Sequence, residues 1–184
     1  MARELLGKRL VRLVEGQRLS GLIVEAEAYD GELDLACHAR VGKTPRTAVM
    51  YGPPGLAYVY FTYGMHWLLN CVCEDEEYPA AVLIRGIFPL EGLDWISRKR
   101  RGVLQKNWVN GPGKICQAFS ITGEQNGLSL CNRSGELWIE DNDPVSDDDF
   151  ITTPRIGIDR VPEPWLSKPW RFWVQRPEKI FAKD

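Results

Sequence analysis

Residues 23–31 of the chain read IVEAEAYDG. Side chains alternate between the two faces of a strand. Glu25, Glu27 and Tyr29 therefore share the face of Ile23, and Leu22, Val24, Ala26 and Ala28 point the other way. Carboxylates two residues apart on an extended chain are separated by about 6.5 to 7 Å. That falls within the roughly 6.5 to 9.5 Å at which a general acid and a general base flank a sugar bond and admit a water between them. Read from these residues alone, the pair fits either a sugar hydrolase or the commoner salt-bridged surface; no cluster of Trp and Asp for sugar binding accompanies it.

Aromatic residues supply a second constellation. In YVYFTYGMHW, Tyr58 and Tyr60 fall on one strand face and Tyr63 stands beside Gly64 at the tip of a hairpin. Strands are rich in aromatics in any case, so Tyr58 fits an ordinary strand aromatic as well as a functional one. A ring at an exposed tip has little core to bury and has the form of a minor-groove wedge. Five cysteines, Cys37, Cys71, Cys73, Cys116 and Cys131, follow no disulfide spacing, which suits a reducing compartment. Only His38 and His66 are available to complete a metal site with Cys71 and Cys73, so these read as buried thiols and no metal is expected.

The elements that position these residues are mostly strands. Ala2–Leu6 reads as a short helix stopped by Gly7, followed by a strand pair turning at Glu15–Gln17. DGELDLACHARVGKTPR loses periodicity and reads as a long functional loop with one helical turn. GLAYVYFTYGMHWLLNCVCE is a hairpin turning at Tyr63–Gly64, and AAVLIRGIFPLEG a strand stopped by Pro89. EGLDWISRKRR and GPGKICQAFSI read as helices, the Asp-rich stretch from Glu140 as a surface loop, and ITTPRIGIDRV and PWRFWVQ as closing strands. No internal repeat, Walker loop or dinucleotide fingerprint occurs. The expectation is an α+β fold: one compact domain, residues 1–184, on a curved, mainly antiparallel sheet with a protruding hairpin and flanking helices.

No apolar run approaches the roughly 20 residues of a membrane span, and MARELLGKRLVRLVEG lacks the features of a signal peptide, so an intracellular protein without a membrane partner is expected. The net charge of −2 is unevenly spread: Glu124–Phe150 carries −7, which leaves +5 for the rest. Basic residues gather in the first 20 positions, at Arg40, Lys43 and Arg46, and in RKRRGVLQK, a pattern that favours a polyanion partner.

Six blocks then stand in order: IVEAEAYDGELDLACHAR, TPRTAVMYGPPGLAYVYFTYGMHWLLN, VLIRGIFPLEG, NGPGKICQAFSI, RIGIDR and KPWRFWV. Together they resemble the alkyladenine (3-methyladenine) DNA glycosylase family over nearly the whole chain. The resemblance implies a monofunctional glycosylase of base-excision repair that flips alkylated or deaminated purines from duplex DNA and hydrolyses the N-glycosidic bond, leaving an abasic site. It implies Glu27 as the general base that activates a water, with Arg85 and the backbone carbonyl of Ile156 helping to hold that water and Arg85 keeping the Glu27 pKa down. Tyr29 and His38 would stack on one face of the extruded base and Tyr60 on the other, and Tyr63 would fill the gap in the duplex. Asn70 would reject guanine through its exocyclic amine, or else bond a turn or ladder. Met50 would line the base pocket or pack in the core, and Lys114 with the GPGK amides would bind a backbone phosphate or stay solvated.

Glu25 becomes a support for arginine side chains, and His66 receives no role. No lysine or N-terminal amine stands where a Schiff base needs one, and no cofactor is called for. The expected partner is damaged double-stranded DNA, bound by a monomer, in the cytoplasm or nucleoid of a prokaryote or the nucleus of a eukaryote. Three features depart from some relatives: a short N-terminus, His66 and Trp67 in the returning strand, and an acidic loop near Asp147 that should face away from DNA. The competing reading is a noncatalytic nucleic-acid-binding module of the same fold, as in tRNA-formylating enzymes.

Overall fold

The structure is a computed structural model that describes residues 1–181. Its frame is an antiparallel sheet. β1 (Arg9–Val14) turns through Glu15 and Gly16 into β2 (Gln17–Asp30). Both turn residues have positive φ, 49° and 74°, the left-handed conformations that suit a tight hairpin. β3 (Ala57–Thr62) and β4 (His66–Cys73) form the second hairpin, and β5 (Ala80–Glu91) joins it to β2. The order runs β3-β4-β5-β2-β1-β6, with β6 at Leu137–Glu140. Alongside, β8 (Arg171–Trp173) pairs with β2, and β7 (Ile151–Thr153) pairs with β8.

The long strand β2 is central because it pairs with β1, β5 and β8 along different stretches. Its register against β5 shifts on both sides of Glu25, where Val24 on one strand and Arg85 on the other are left without a direct partner. A bulge re-aims the chain, so the simple alternation expected of this strand fails. Ile23 lies in the core together with Val24 and Ala26, not on the face of Glu25 and Glu27. The irregularity thereby gives the core Ile23 and still delivers two carboxylates and Tyr29 to the opposite face.

Helices α1 (Leu93–Lys99) and α2 (Pro112–Ala118) pack on the core side through Trp95, Ile96, Ile115 and Cys116. Leu10, Leu19, Leu69, Ile84, Ile115 and Phe119 are among its fully buried side chains. A short helix α3 (Pro177–Phe181) follows β8.

Several expected boundaries move. Residues 2–7 form successive turns, with the Leu5 amide donating to the Met1 carbonyl and the Leu6 amide to that of Arg3, and Ala2, Leu5 and Leu6 anchored in the core. β5 continues past Pro89 to Glu91, because the register shift opposite Ser20 and Gly21 spares the ladder a donor that proline lacks. In ITTPRIGIDRV only Ile151–Thr153 is strand, and the chain leaves the sheet at Pro154. Among the described residues no helix is long and apolar enough to cross a membrane.

The charge map changes too. Arg3 pairs with Asp147, Lys8 with Asp141, Arg12 with Glu136 at 3.2 Å and Arg18 with Glu140 at 2.9 Å. The basic N-terminal strip is therefore met by the acidic arm rather than left open to a polyanion. None of these acids lines the cavity described below.

Candidate active site

β2, β5, the β3–β4 hairpin and two loops converge on a cavity of about 300 Å³, within the usual size range of ligand clefts, about 300 to 1,000 Å³. Tyr29, His38, Met50, Tyr60, Tyr63, Asn70, Arg85 and Ile156 all line it. Glu27 lies beneath these lining residues and is fully buried.

Burying a carboxylate is unfavourable unless it is paired and hydrogen-bonded. Glu27 Oε1 accepts from the Ile156 amide at 2.8 Å, and Oε2 accepts from the Tyr29 hydroxyl at 2.9 Å. The Arg85 guanidinium lies 3.3 Å from Oε1 and 3.4 Å from Oε2. Ile156 thus meets the carboxylate through its N–H, where the resemblance assigns a role to its carbonyl. With Arg85 counted, each carboxylate oxygen already faces two donors, about its full acceptor capacity, so a water reaches Glu27 by taking the place of one of the long Arg85 approaches. Glu25 is tied to Arg171 at 2.6 Å and Arg85 at 3.1 Å, which bears out a supporting place beside the arginines.

Arg85 does not hold the Glu27 pKa below its ordinary value. Burial raises it, and the opposing pull of Arg85, the Ile156 amide and the Tyr29 hydroxyl is too weak to reverse that, while Glu25 adds to the rise. A raised pKa makes a stronger base nearer neutral pH.

The aromatic wall is interlocked. His38 Nδ1 lies 3.0 Å from the Tyr58 hydroxyl, and its ring meets that of Tyr60 edge to face with centroids 4.5 Å apart. A base can enter between those two rings only if they part. Burial, together with Arg46 and Arg40, lowers the His38 pKa to about 4, so the imidazole is neutral. Tyr58 is buried, as a strand aromatic, yet it also lines the cavity and orients His38. Asn70 Nδ2 donates to the Tyr58 carbonyl across the hairpin at 3.0 Å, the bonded alternative, and the residue also lines the cavity. Met50 likewise is both buried in a small core cluster and part of the wall.

Tyr63 stands at the hairpin tip, 81% exposed and with φ of 51°, next to an exposed Met65. A second cleft of about 680 Å³ adjoins the cavity, sharing His38, Tyr63 and Ile158 and lined by Arg40, Arg46 and Arg160. Lys114 lies outside the cavity lining, its Nζ donating to Asn110 Oδ1 at 2.7 Å. His66 packs over Gly113, whose place a β-carbon could not take without coming within 3.0 Å of the imidazole, so its part is to seat the hairpin on α2.

Two residues escaped the sequence reading. Asp34 and Arg155 form a fully buried ion pair directly behind the site. Their separation of 121 positions leaves no spacing signal; the only local clue is an acid directly before the apolar residues LAC. Among the described residues no group of three or more His, Cys, Asp or Glu side chains is placed to hold a metal ion.

Comparison with known proteins adds the family. The model of the methylpurine-DNA glycosylase (MPG) family matches residues 1–178. A protein of Methanocella arvoryzae named "Putative 3-methyladenine DNA glycosylase" is 49% identical over 174 residues, covering 94% of this chain and 85% of its own. Proteins of the same name from Alkaliphilus oremlandii and Myxococcus xanthus are 42% and 43% identical, covering 95% and 98% of this chain and 89% and 86% of theirs. With a match of that extent and relatives of that similarity, the chain belongs to the methylpurine-DNA glycosylase family.

Proposed function

We propose that the protein is a monofunctional DNA glycosylase that extrudes alkylated or deaminated purines from duplex DNA and cleaves the N-glycosidic bond with a water activated by Glu27. The observation that carries the reading is Glu27 itself: a fully buried carboxylate with a donor on each oxygen and an arginine beside it, under an aromatic cavity. A surface binding module gains nothing from burying such a charge.

In this reading Tyr63 enters the duplex as the nucleotide leaves it. Unstacking costs a few kcal/mol and is least unfavourable at a damaged pair. The arginines Arg40, Arg46 and Arg160 of the cleft beside the tip hold the DNA backbone. The rings of Tyr29, Tyr60 and neutral His38 receive the base. A positively charged alkylpurine gains about 0.5 to 2 kcal/mol over a neutral one against such faces. Glu27 takes a proton from the water as it attacks the anomeric carbon, and its charge stabilises the oxocarbenium-like transition state. The leaving base departs with the bonding electrons of the glycosidic bond: a cationic alkylpurine leaves as a neutral base, and a neutral deaminated purine leaves as an anion that takes a proton from solvent. Among the described residues no lysine lines the cavity to trap the sugar, so the product is an abasic site in an uncut strand.

The test is to incubate the protein, with chelator present, with alkylated duplex DNA and with duplexes carrying hypoxanthine or ethenoadenine. Free base and alkali-labile sites are expected. Tight duplex binding with no release from any lesion would overturn the proposal in favour of the binding module.

A further inference from the structure

Glu27 owes two of its three favourable contacts to groups that lean on one side chain, Arg155. The Ile156 amide that donates to Oε1 belongs to the next residue in the chain. The Tyr29 ring, whose hydroxyl donates to Oε2, lies over the Arg155 guanidinium with 4.7 Å between centres. The Trp170 ring also packs on the guanidinium, with 5.0 Å between centres, so two rings hold it. We infer that Arg155, locked by Asp34, is a positioning residue that sets the Ile156 amide and Tyr29 against the Glu27 carboxylate. The inference rests on the reading of Glu27 as the base.

The lock is rigid. Arg155 Nη1 and Nη2 donate to Asp34 Oδ2 at 2.5 Å and Oδ1 at 2.9 Å, a two-pronged pairing. Nη1 also donates to the Ala28 carbonyl at 2.9 Å, just before Tyr29. Asp34 in turn accepts from the amides of Asp30 and Ala36, which fixes the loop leading to His38. One ion pair thus joins the end of β2, the loop after it and the loop that carries Ile156.

Stability alone is a poor reason for this arrangement. A buried ion pair is often no more stabilising than apolar side chains of the same volume. Here Arg155 Nε is also buried with no partner among the described residues, an unfavourable feature of its own. What the pair does provide is direction: a planar guanidinium held in one orientation by two rings and four acceptors, the two Asp34 oxygens and the carbonyls of Ala28 and, at 3.4 Å, Trp165.

The consequence is chemical. The groups facing Glu27 are Arg85 from β5, Tyr29 and Glu25 from β2, the Ile156 amide and, further off, Tyr60 from β3. Loosening Arg155 weakens the amide and hydroxyl contacts together and leaves Arg85. The carboxylate then protonates at higher pH, and the acid limb of the rate profile moves upward.

Two variants test this: Arg155→Lys, which keeps the charge but not the fork or the flat stacking face, and Trp170→Leu, at a partly exposed position. Single-turnover base release is followed against pH, with duplex affinity and thermal unfolding measured in parallel. Arg155→Lys is expected to slow release at neutral pH by about a hundredfold, the scale of a small misplacement at a reacting centre. The acid limb should move up by about one unit, with duplex affinity little changed. Trp170→Leu should move the limb in the same direction by less. A readout that needs no substrate is the Ile156 amide proton resonance, which should lose the downfield position of a carboxylate bond in Arg155→Lys. A limb and a resonance both unmoved, even with lowered thermal stability, would overturn the inference and leave the pair structural. Native protein that releases no base while the Ile156 resonance moves in the variant would instead sink the reading of Glu27 and leave the positioning intact.

Discussion

Replacing Tyr29 with Phe removes one oxygen atom and leaves the ring on Arg155. In the native site that hydroxyl donates to Glu27 Oε2 at 2.9 Å, and without it Oε2 keeps only the longer approach of Arg85 at 3.4 Å. A hydrogen bond to a charged group contributes about 1.5 to 3 kcal/mol, and one pKa unit corresponds to about 1.4 kcal/mol. Of the three influences that favour ionised Glu27, the Tyr29 hydroxyl is the weakest, after Arg85 and the Ile156 amide. The lower end applies, a rise of about one unit. In the proposed mechanism Glu27 acts ionised, so the rate falls as pH drops through its pKa, and a higher pKa carries that limb to higher pH. On the limb the variant should be about tenfold slower than native, and on the plateau within about threefold, because a more basic carboxylate partly offsets its altered placement. Single-turnover release of hypoxanthine from a duplex, measured from pH 5 to 9, gives both numbers. Superimposable profiles would refute the assignment of the limb to Glu27. A uniform loss at every pH would show that the hydroxyl holds the base and not the carboxylate.

Glu25→Gln should act with the opposite sign: removing a neighbouring negative charge lowers the Glu27 pKa and moves the limb to lower pH. It also leaves Arg85 and Arg171 without their shared carboxylate, and urea unfolding should show a loss of about 3 kcal/mol. His38, with its pKa lowered to about 4, should show no imidazole titration by NMR between pH 5 and 8. Its depressed value contributes stability present above the ordinary histidine pKa of about 6.5 and lost as pH falls toward 4, so His38→Gln should flatten that decline in thermal unfolding. Tyr63→Ala, at a tip 81% exposed, should change stability by less than about 0.5 kcal/mol yet slow base release from paired lesions more than from unpaired ones.

The functional face of β2 was legible because strand alternation is a local rule, and Glu27 and Tyr29 do share a side. The bulge that sends Ile23 into the core was not, since it is decided by pairing with β5 and leaves no mark in IVEAEAYDG. The hairpin and its turn at Tyr63–Gly64 were readable from turn chemistry, with both residues in the left-handed region. β6 was hidden because four residues, LWIE, are too few to show a period. Summed charge misled in one respect: it placed Arg3, Lys8, Arg12 and Arg18 among the cations open to a polyanion, whereas the fold folds the acidic arm back on them. The pKa of Glu27 depended on a contest between depth and neighbours, and depth is a property of the whole fold. Asp34 and Arg155 lay beyond any reading of spacing, since nothing local marks two residues that meet only after the sheet has closed.

Glu27→Gln tests the central claim most directly. The amide keeps the shape of the side chain and removes the base. Because burial raises the Glu27 pKa, the native carboxylate's contribution to stability is present at low pH and lost as pH rises through that pKa. The variant should therefore be at least as stable as native above neutral pH, with the difference shrinking in acid. It should bind a duplex carrying ethenoadenine as tightly as the native protein and release no base from it. Release at a rate near native, from folded variant bound to the same duplex, would contradict the account and require the water to be activated elsewhere.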